Sequence, residues 1–229
     1  MQAIVLAGGL GTRLRSVTKD IPKPMAPIGD KPFLAFVLEY LEKQGVREVI
    51  LSVSYKYKII QDYFKNRFCG MNIIYNIEEE LLGTGGAIKD SLRLIGNDAY
   101  VLNGDTFFDI NLKELSLEEG KMCIALKKMK NFDRYGSVNI DSKGFVVSFE
   151  EKVYKTEGFI SGGIYYIKKD IFNNFSLKDK FSFEKFLQEN LALLNIKAKV
   201  FSNYFIDIGI PSDYTSFVEK HREMGAIQG

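Results

Sequence analysis

The chain has 229 residues, 46% of them apolar and 26% charged, an ordinary soluble composition long enough to bury a sizeable core. Basic residues number 31 against 29 acidic ones, a formal charge of +2 that offers no net field to steer nucleic acid or a membrane surface. No apolar run approaches the ~18 residues of a membrane span, and the two cysteines, Cys69 and Cys123, form no paired motif.

In chain order, residues 3–7 read as a short buried strand. Residues 33–43, FLAFVLEYLEK, place Phe33, Phe36, Val37, Tyr40 and Leu41 on one helical face. Strands at 49–53, 72–75 and 99–102 then alternate with helices at 57–64 and 84–94. That β-α-β-α-β-α-β order predicts an α/β fold with a mostly parallel sheet and helices on both faces. Beyond Asn111 strands dominate, at 122–127, 136–140, 146–150 and 164–167, followed by helices at 183–194 and 212–224. With no linker, internal repeat or low-complexity stretch, one domain spanning 1–229 is expected. Its lobes cover about 1–110 and 111–229, and association into a homo-oligomer is left open. The lone histidine, His221, lies on a polar helical stretch and reads as a surface residue, so carboxylates, cations and a metal are the expected chemical groups. The first residues carry no basic segment ahead of Gly8, so no signal peptide is expected and a cytoplasmic location is.

The first strand runs into GGLGTRLRSVTKDIPKP, residues 8–24. Glycines after a strand let successive backbone N–H groups form an anion-binding nest. A GxGxxG dinucleotide fingerprint is not met, because Leu14 stands at the third glycine position, and the Gly-Lys-Ser/Thr of a P-loop is absent. Pro22 and Pro24 stiffen the backbone around Lys23, which suits an ammonium that must be positioned.

This stretch, Gly8-Gly9-Leu10-Gly11-Thr12-Arg13 with Pro22-Lys23-Pro24, resembles the signature of the sugar-phosphate nucleotidyltransferases. The resemblance extends over most of the chain. It implies a Rossmann-like, mostly parallel mixed sheet flanked by helices, of the nucleotide-diphospho-sugar transferase type, with a smaller strand-rich sugar-binding lobe. It also implies attack of a sugar 1-phosphate on the α-phosphate of a nucleoside triphosphate. Leu6, Ala7, Gly8, Gly9, Gly11, Thr12 and Gly104 would hold the nucleotide. Arg13, Lys23 and Asp105 would be catalytic.

Asp105 ends the strand-like VLNGD, at a strand end where open α/β sheets bind ligands. Asp207 sits among apolar neighbours in FIDIGIP, where a carboxylate is costly without a partner. The resemblance pairs Asp105 with Asp207 around Mg²⁺, a hard ion suited to carboxylate and phosphate oxygens. Glu151 and Lys152 resemble the family's Glu-Lys-Pro element, with Val153 in place of proline. Tyr135, Gly136, Ser161 and Gly162 resemble its sugar-pocket segments. EEELLGTGGA, residues 78–87, resembles the base-reading loop of guanylyltransferases acting on mannose or heptose 1-phosphates. That implies GTP as donor, with Glu79 or Glu80 accepting guanine N–H groups beside Gly83 and Thr84. The β-helix of bifunctional relatives is not expected. A glycosyltransferase would carry an Asp-x-Asp motif, which Asp105 and Asp109 do not form. A nucleotide sensor would have no need of Asp207 or Lys152.

Overall fold

The structure, a computed structural model, describes residues 1–9, 14, 18, 20–118 and 120–226. Strand β1 (Gln2–Leu6) sends Ala3 and Val5 into one core and Ile4 into another, as a strand covered on both faces must. A 3-10 turn at Lys23–Met25 leads to a small hairpin of β2 (Pro27–Ile28) and β3 (Lys31–Pro32). Next come α1 (Phe33–Lys43), β4 (Glu48–Val53), α2 (Tyr57–Phe64), β5 (Arg67–Phe68), β6 (Met71–Ile77), α3 (Gly83–Ser91) and β7 (Ala99–Asn103). Strands β7, β1, β4 and β6 lie side by side and parallel, with β5 antiparallel at the edge.

The chain continues through β8 (Thr106–Phe108), β9 (Met122–Phe132), β10 (Gly136–Ile140), β11 (Val146–Lys152) and β12 (Lys155–Ile167). Helices α4 (Phe183–Glu189) and α5 (Leu191–Leu194), strands β13 (Lys197–Phe201) and β14 (Phe205–Asp207), and helix α6 (Pro211–Ala226) complete it. Among the described residues ten strands join in one mixed sheet ordered β11-β10-β12-β7-β1-β4-β6-β5, with β9 on β12 and β13 on β9. Strand β12 ties the two expected lobes together. Residues 164–167 pair antiparallel with β7, β9 runs along its length, and β10 meets it at Ile160. Its register slips between Ser161 and Tyr165, where Gly163 adopts φ 69°. A positive φ of this kind costs glycine little, which is why the bend falls there.

Two apolar layers cover the sheet. One packs α1, α2 and α6 through Phe33, Leu38, Ile60, Phe64 and Phe217; the other packs α3 and α4 through Ile88, Phe183, Phe186 and Leu187. Helix α6 returns to the first half of the chain, with the Phe217 ring 4.9 Å from Phe33. No described helix is long and apolar enough to cross a membrane.

Several elements differ from the sequence reading. The helix expected at 183–194 breaks at Asn190 into α4 and α5, and Asn195 caps α5 in the left-handed region. The helix expected at 84–94 ends at Ser91 and continues as a 3-10 turn, Leu92–Leu94. Strand β12 starts nine residues earlier than expected, because its first half alternates with exposed Thr156 and Glu157 and carries little apolar signal. Of the two cysteines, Cys123 is buried and Cys69 exposed.

Candidate active site

The site forms at the carboxyl ends of the parallel strands, where β1 is followed on one side by β4 and on the other by β7. That reversal of strand order opens a crevice. The Gly104 N–H donates to the Leu6 carbonyl at 2.9 Å, and the Ala7 N–H to Ser52 O at 2.8 Å. A Cβ on Gly104 would lie 2.8 Å from Leu6 O, so only glycine lets β7 close on β1 and bring Asp105 beside the glycine stretch.

Asp207 reaches the same point from the far end of the chain. Strands β14 and β8 pair Asp207 with Thr106, and the Ile208 N–H donates to the Asp105 carbonyl at 3.0 Å. Between the two carboxylates lies Lys23. Its Nζ is 2.5 Å from Asp105 Oδ2 and 3.4 Å from Asp207 Oδ1, and the residue is only 8% exposed. The turn that carries it is fixed by Pro22 at φ −60°, by Pro24 within its first positions, and by the Met25 N–H donating to Pro22 O at 2.8 Å. The prolines therefore do position one ammonium. Its partners in this structure are the two aspartates, because convergent, partly buried carboxylates need a positive charge between them.

Burial first, and then the neighbouring Asp105, push the Asp207 carboxyl above its ordinary value, with Lys23 partly offsetting them. Two convergent carboxylates, one of them raised by burial and by the other's charge, form an oxygen donor set that a hard divalent cation fits. Among the described residues no three acidic, histidine or cysteine side chains are placed so that together they could hold a metal ion. The chain thus supplies Asp105 and Asp207, and an ion held there would complete its shell with substrate oxygens and water.

One cavity, of about 320 Å³, is lined by Leu6, Gly8, Gly9, Gly83, Thr84 and Asp105, and also by Glu78, Leu81, Asn103 and Glu184. Ala7 and Gly104 form the strand-end backbone behind it. Gly11, Thr12 and Arg13 lie outside the described residues. Glu79 and Glu80 are exposed and face neighbouring clefts, outside the residues that line this cavity. Glu78 is the loop acid that does line it. Its Oε1 accepts from Ser52 Oγ at 2.9 Å and its Oε2 from the Leu82 N–H at 3.0 Å. The glycines of α3 have a packing origin. Residues 179–181 lie against the helix start, and a Cβ on Gly86 would fall 2.2 Å from Asp179 O.

A second cavity, of about 600 Å³, is lined by Tyr135, Gly136, Lys152, Ser161, Asp105 and Asp207, together with Arg134, Tyr165, Gly163 and Glu184. Gly162 stands behind it, where a Cβ would meet the Phe108 ring at 2.3 Å. Glu151 is exposed and outside the lining, as strand alternation sets it on the face opposite Lys152. Its neighbour Glu150 instead accepts from Ser137 Oγ at 3.0 Å, Asn139 Nδ2 at 2.5 Å and the Lys155 ammonium. Lys155 foremost, then those two donors, lower the Glu150 carboxyl to about 2. The two cavities share Asn103, Asp105 and Glu184, so ligands in both would meet at Asp105. Sequence reasoning missed Glu78, Asn103, Arg134 and Glu184. Glu78 and Asn103 lay inside quoted motifs, EEELLGTGGA and VLNGD, and Arg134 directly before Tyr135-Gly136, whereas Glu184 lay in none.

His221 is half-buried. Its Nδ1 lies 2.9 Å from Phe217 O, and its ring centroid is 4.6 Å from Phe36 and 4.1 Å from Phe217. It packs α6 on α1.

The nucleotidyl transferase family matches residues 2–224. A D-glycero-α-D-manno-heptose 1-phosphate guanylyltransferase of Campylobacter jejuni is 64% identical over 218 residues, which cover 95% of this chain and 99% of that protein. One of the same name from Aneurinibacillus thermoaerophilus is 48% identical over 220 residues, 93% of this chain and 95% of that protein. The crystal structure of HddC from Yersinia pseudotuberculosis matches with a TM-score of 0.87 and 42% identity, over 96% of this chain and 99% of that one. The same protein complexed with GMP-PN matches with a TM-score of 0.84.

Proposed function

The chain belongs to the nucleotidyl transferase family, and from that premise we propose that it transfers GMP from GTP to D-glycero-α-D-manno-heptose 1-phosphate, releasing pyrophosphate and the GDP-heptose. The two relatives of that name, matched over nearly their whole length, support the substrates. The observation that carries the reaction is the meeting at Asp105 of two cavities, one beside the glycine turn and one beside Lys152 and Tyr135, with Lys23 and Asp207 next to it.

The nucleophile is a phosphate oxygen of the sugar 1-phosphate, already an anion, so no general base is required. A bond forms from that oxygen to the α-phosphorus, and the bond to the bridging oxygen of the leaving pyrophosphate breaks. Catalysis then rests on positioning and on charge stabilisation. Gly8, Gly9, Gly11 and Thr12 hold the triphosphate through backbone N–H groups, and Arg13 takes the growing charge on pyrophosphate. Lys23 sets positive charge at the α-phosphate, and Lys152 orients the sugar phosphate. Asp105 and Asp207 would hold Mg²⁺. When bound, the ion supplies charge neutralisation and a template for the phosphate oxygens. Of the three loop acids, Glu78 already accepts from Ser52 and Leu82. This leaves Glu79 or Glu80 for the guanine edge once the loop meets its ligand. GTP as donor suits a cytoplasmic enzyme.

The test is pyrophosphate release with Mg²⁺ and each nucleoside triphosphate in turn, offered D-glycero-α-D-manno-heptose 1-phosphate or mannose 1-phosphate. Release with GTP and the heptose is expected. Release only with another nucleotide or another sugar would overturn the substrate assignment while leaving the Lys23 and aspartate centre in place.

A further inference from the structure

The cavity assigned above to the sugar 1-phosphate is lined by three carboxylates, those of Asp105, Asp207 and Glu184. A ligand carrying a phosphate dianion enters such a space only if cations face it. Lys23 is held between the aspartates. Among the described residues of the lining, Lys152 and Arg134 are the remaining cations.

Arg134 lies in the connection between β9 and β10 and is fixed from two sides. Its Nη2 donates to Asp213 Oδ2 at 2.5 Å, on the first turn of α6, and to the Tyr135 hydroxyl at 3.0 Å. Its guanidinium carbon stands 5.4 Å from the Tyr135 ring centroid. Nε and Nη1 have no partner among the described residues, and the side chain is 42% exposed, at the cavity. An arginine immobilised through Nη2, with charged N–H donors left on Nε and Nη1, is arranged to present a single charge-assisted hydrogen bond to a phosphate oxygen at the cavity.

We propose that Arg134 is a second anchor for the phosphate of the sugar 1-phosphate, oriented for that role by Asp213 and Tyr135. The inference rests on the reaction proposed above. It differs from a plain structural clamp, in which the Arg134–Asp213 pair would merely fasten the β9–β10 connection to α6.

Calorimetric titration with D-glycero-α-D-manno-heptose 1-phosphate, run beside steady-state kinetics, separates the two. Arg134→Gln should weaken binding of the sugar phosphate at least tenfold and raise its KM to match, with the KM for GTP changed less than twofold. Arg134→Lys should recover part of the loss, and thermal melts of both variants report whether the fold is kept. The exchanged pair Arg134→Asp with Asp213→Arg preserves a clamp but moves the cation off its place, and it should bind as weakly as Arg134→Gln. Unchanged binding in a folded Arg134→Gln, or binding restored by the exchanged pair, would overturn the anchor while wild-type turnover left the reaction standing. Wild-type protein that neither binds the heptose phosphate nor releases pyrophosphate would overturn the reaction and the anchor with it.

Discussion

At the scale of single residues, the charge centre was legible in its parts and not in its arrangement. Lys23 between two prolines announced a positioned ammonium, and Asp207 among apolar neighbours announced a carboxylate in need of a partner. That the two are partners follows only from the β8–β14 ladder, which no local pattern revealed. Glu78 could not be told from Glu79 and Glu80 in sequence, since three adjacent glutamates look alike until Ser52 and the Leu82 N–H bind one of them. Lys23→Ala should lower kcat by about a hundred- to a thousandfold, the usual cost of a lost charge-stabilising donor, with a smaller change in GTP binding; a change in binding alone would contradict its role. Asp207 gives a prediction with a definite sign. Its carboxyl is raised above 3.8 by burial and by Asp105, so the folded protein takes up a proton more readily than the unfolded chain. Keeping Asp207 ionised therefore costs stability above that range, and the cost is relieved as the pH falls through the folded value. Without added metal, Asp207→Asn should melt higher than the parent at pH 8. The gap should close as the pH is lowered toward 4, while turnover is lost. A lower melting temperature at both pH values would show that the Lys23 contact outweighs the repulsion.

At the scale of elements, the first half was readable because buried parallel strands and amphipathic helices carry strong periodic signals. Helices α1 and α2 fall where the spacing of Phe33, Phe36, Val37 and of Ile60, Phe64 places them. Strand β13 was not anticipated, since a short segment with alternating Lys197 and Lys199 looks like a polar loop. The glycines of α3 were read as part of a base-binding loop, yet their smallness answers to the 179–181 segment lying on them. Phe181 N–H donates to Leu82 O at 3.0 Å, and Gly85 N–H donates back to Phe181 O at 3.0 Å. Gly86→Ala should therefore destabilise the protein by about 1–3 kcal/mol in urea unfolding, because the new Cβ meets the Asp179 backbone carbonyl. It should also raise the KM for GTP through Gly83 and Thr84, which line the nucleotide cavity. An unchanged urea midpoint would mean that residues 179–181 can withdraw without cost.

At the scale of the whole molecule, the second half of the chain does not stand apart. Strand β14 pairs with β8, α6 packs on α1, and β12 lies hydrogen-bonded to β7 on one side and β9 on the other. The change of pattern near Asn111 suggested a strand-rich lobe sharing its sheet with the first; which strands are shared, so far apart in sequence, leaves no trace in composition. Heat unfolding should accordingly be one cooperative event. Its 12 tyrosines, with no tryptophan, provide a near-ultraviolet circular dichroism signal that should fall together with the far-ultraviolet backbone signal. Two separated melts would show that the halves come apart independently. The shared strand also bears on how such a protein could be rebuilt for another sugar. A transplant of the recognition half spliced at a single junction would leave β7 without its neighbour and Asp105 without Asp207. A workable hybrid must take β12 and β14 from the same parent as β7 and β8, and confine its novelty to the connections that rim the cavity.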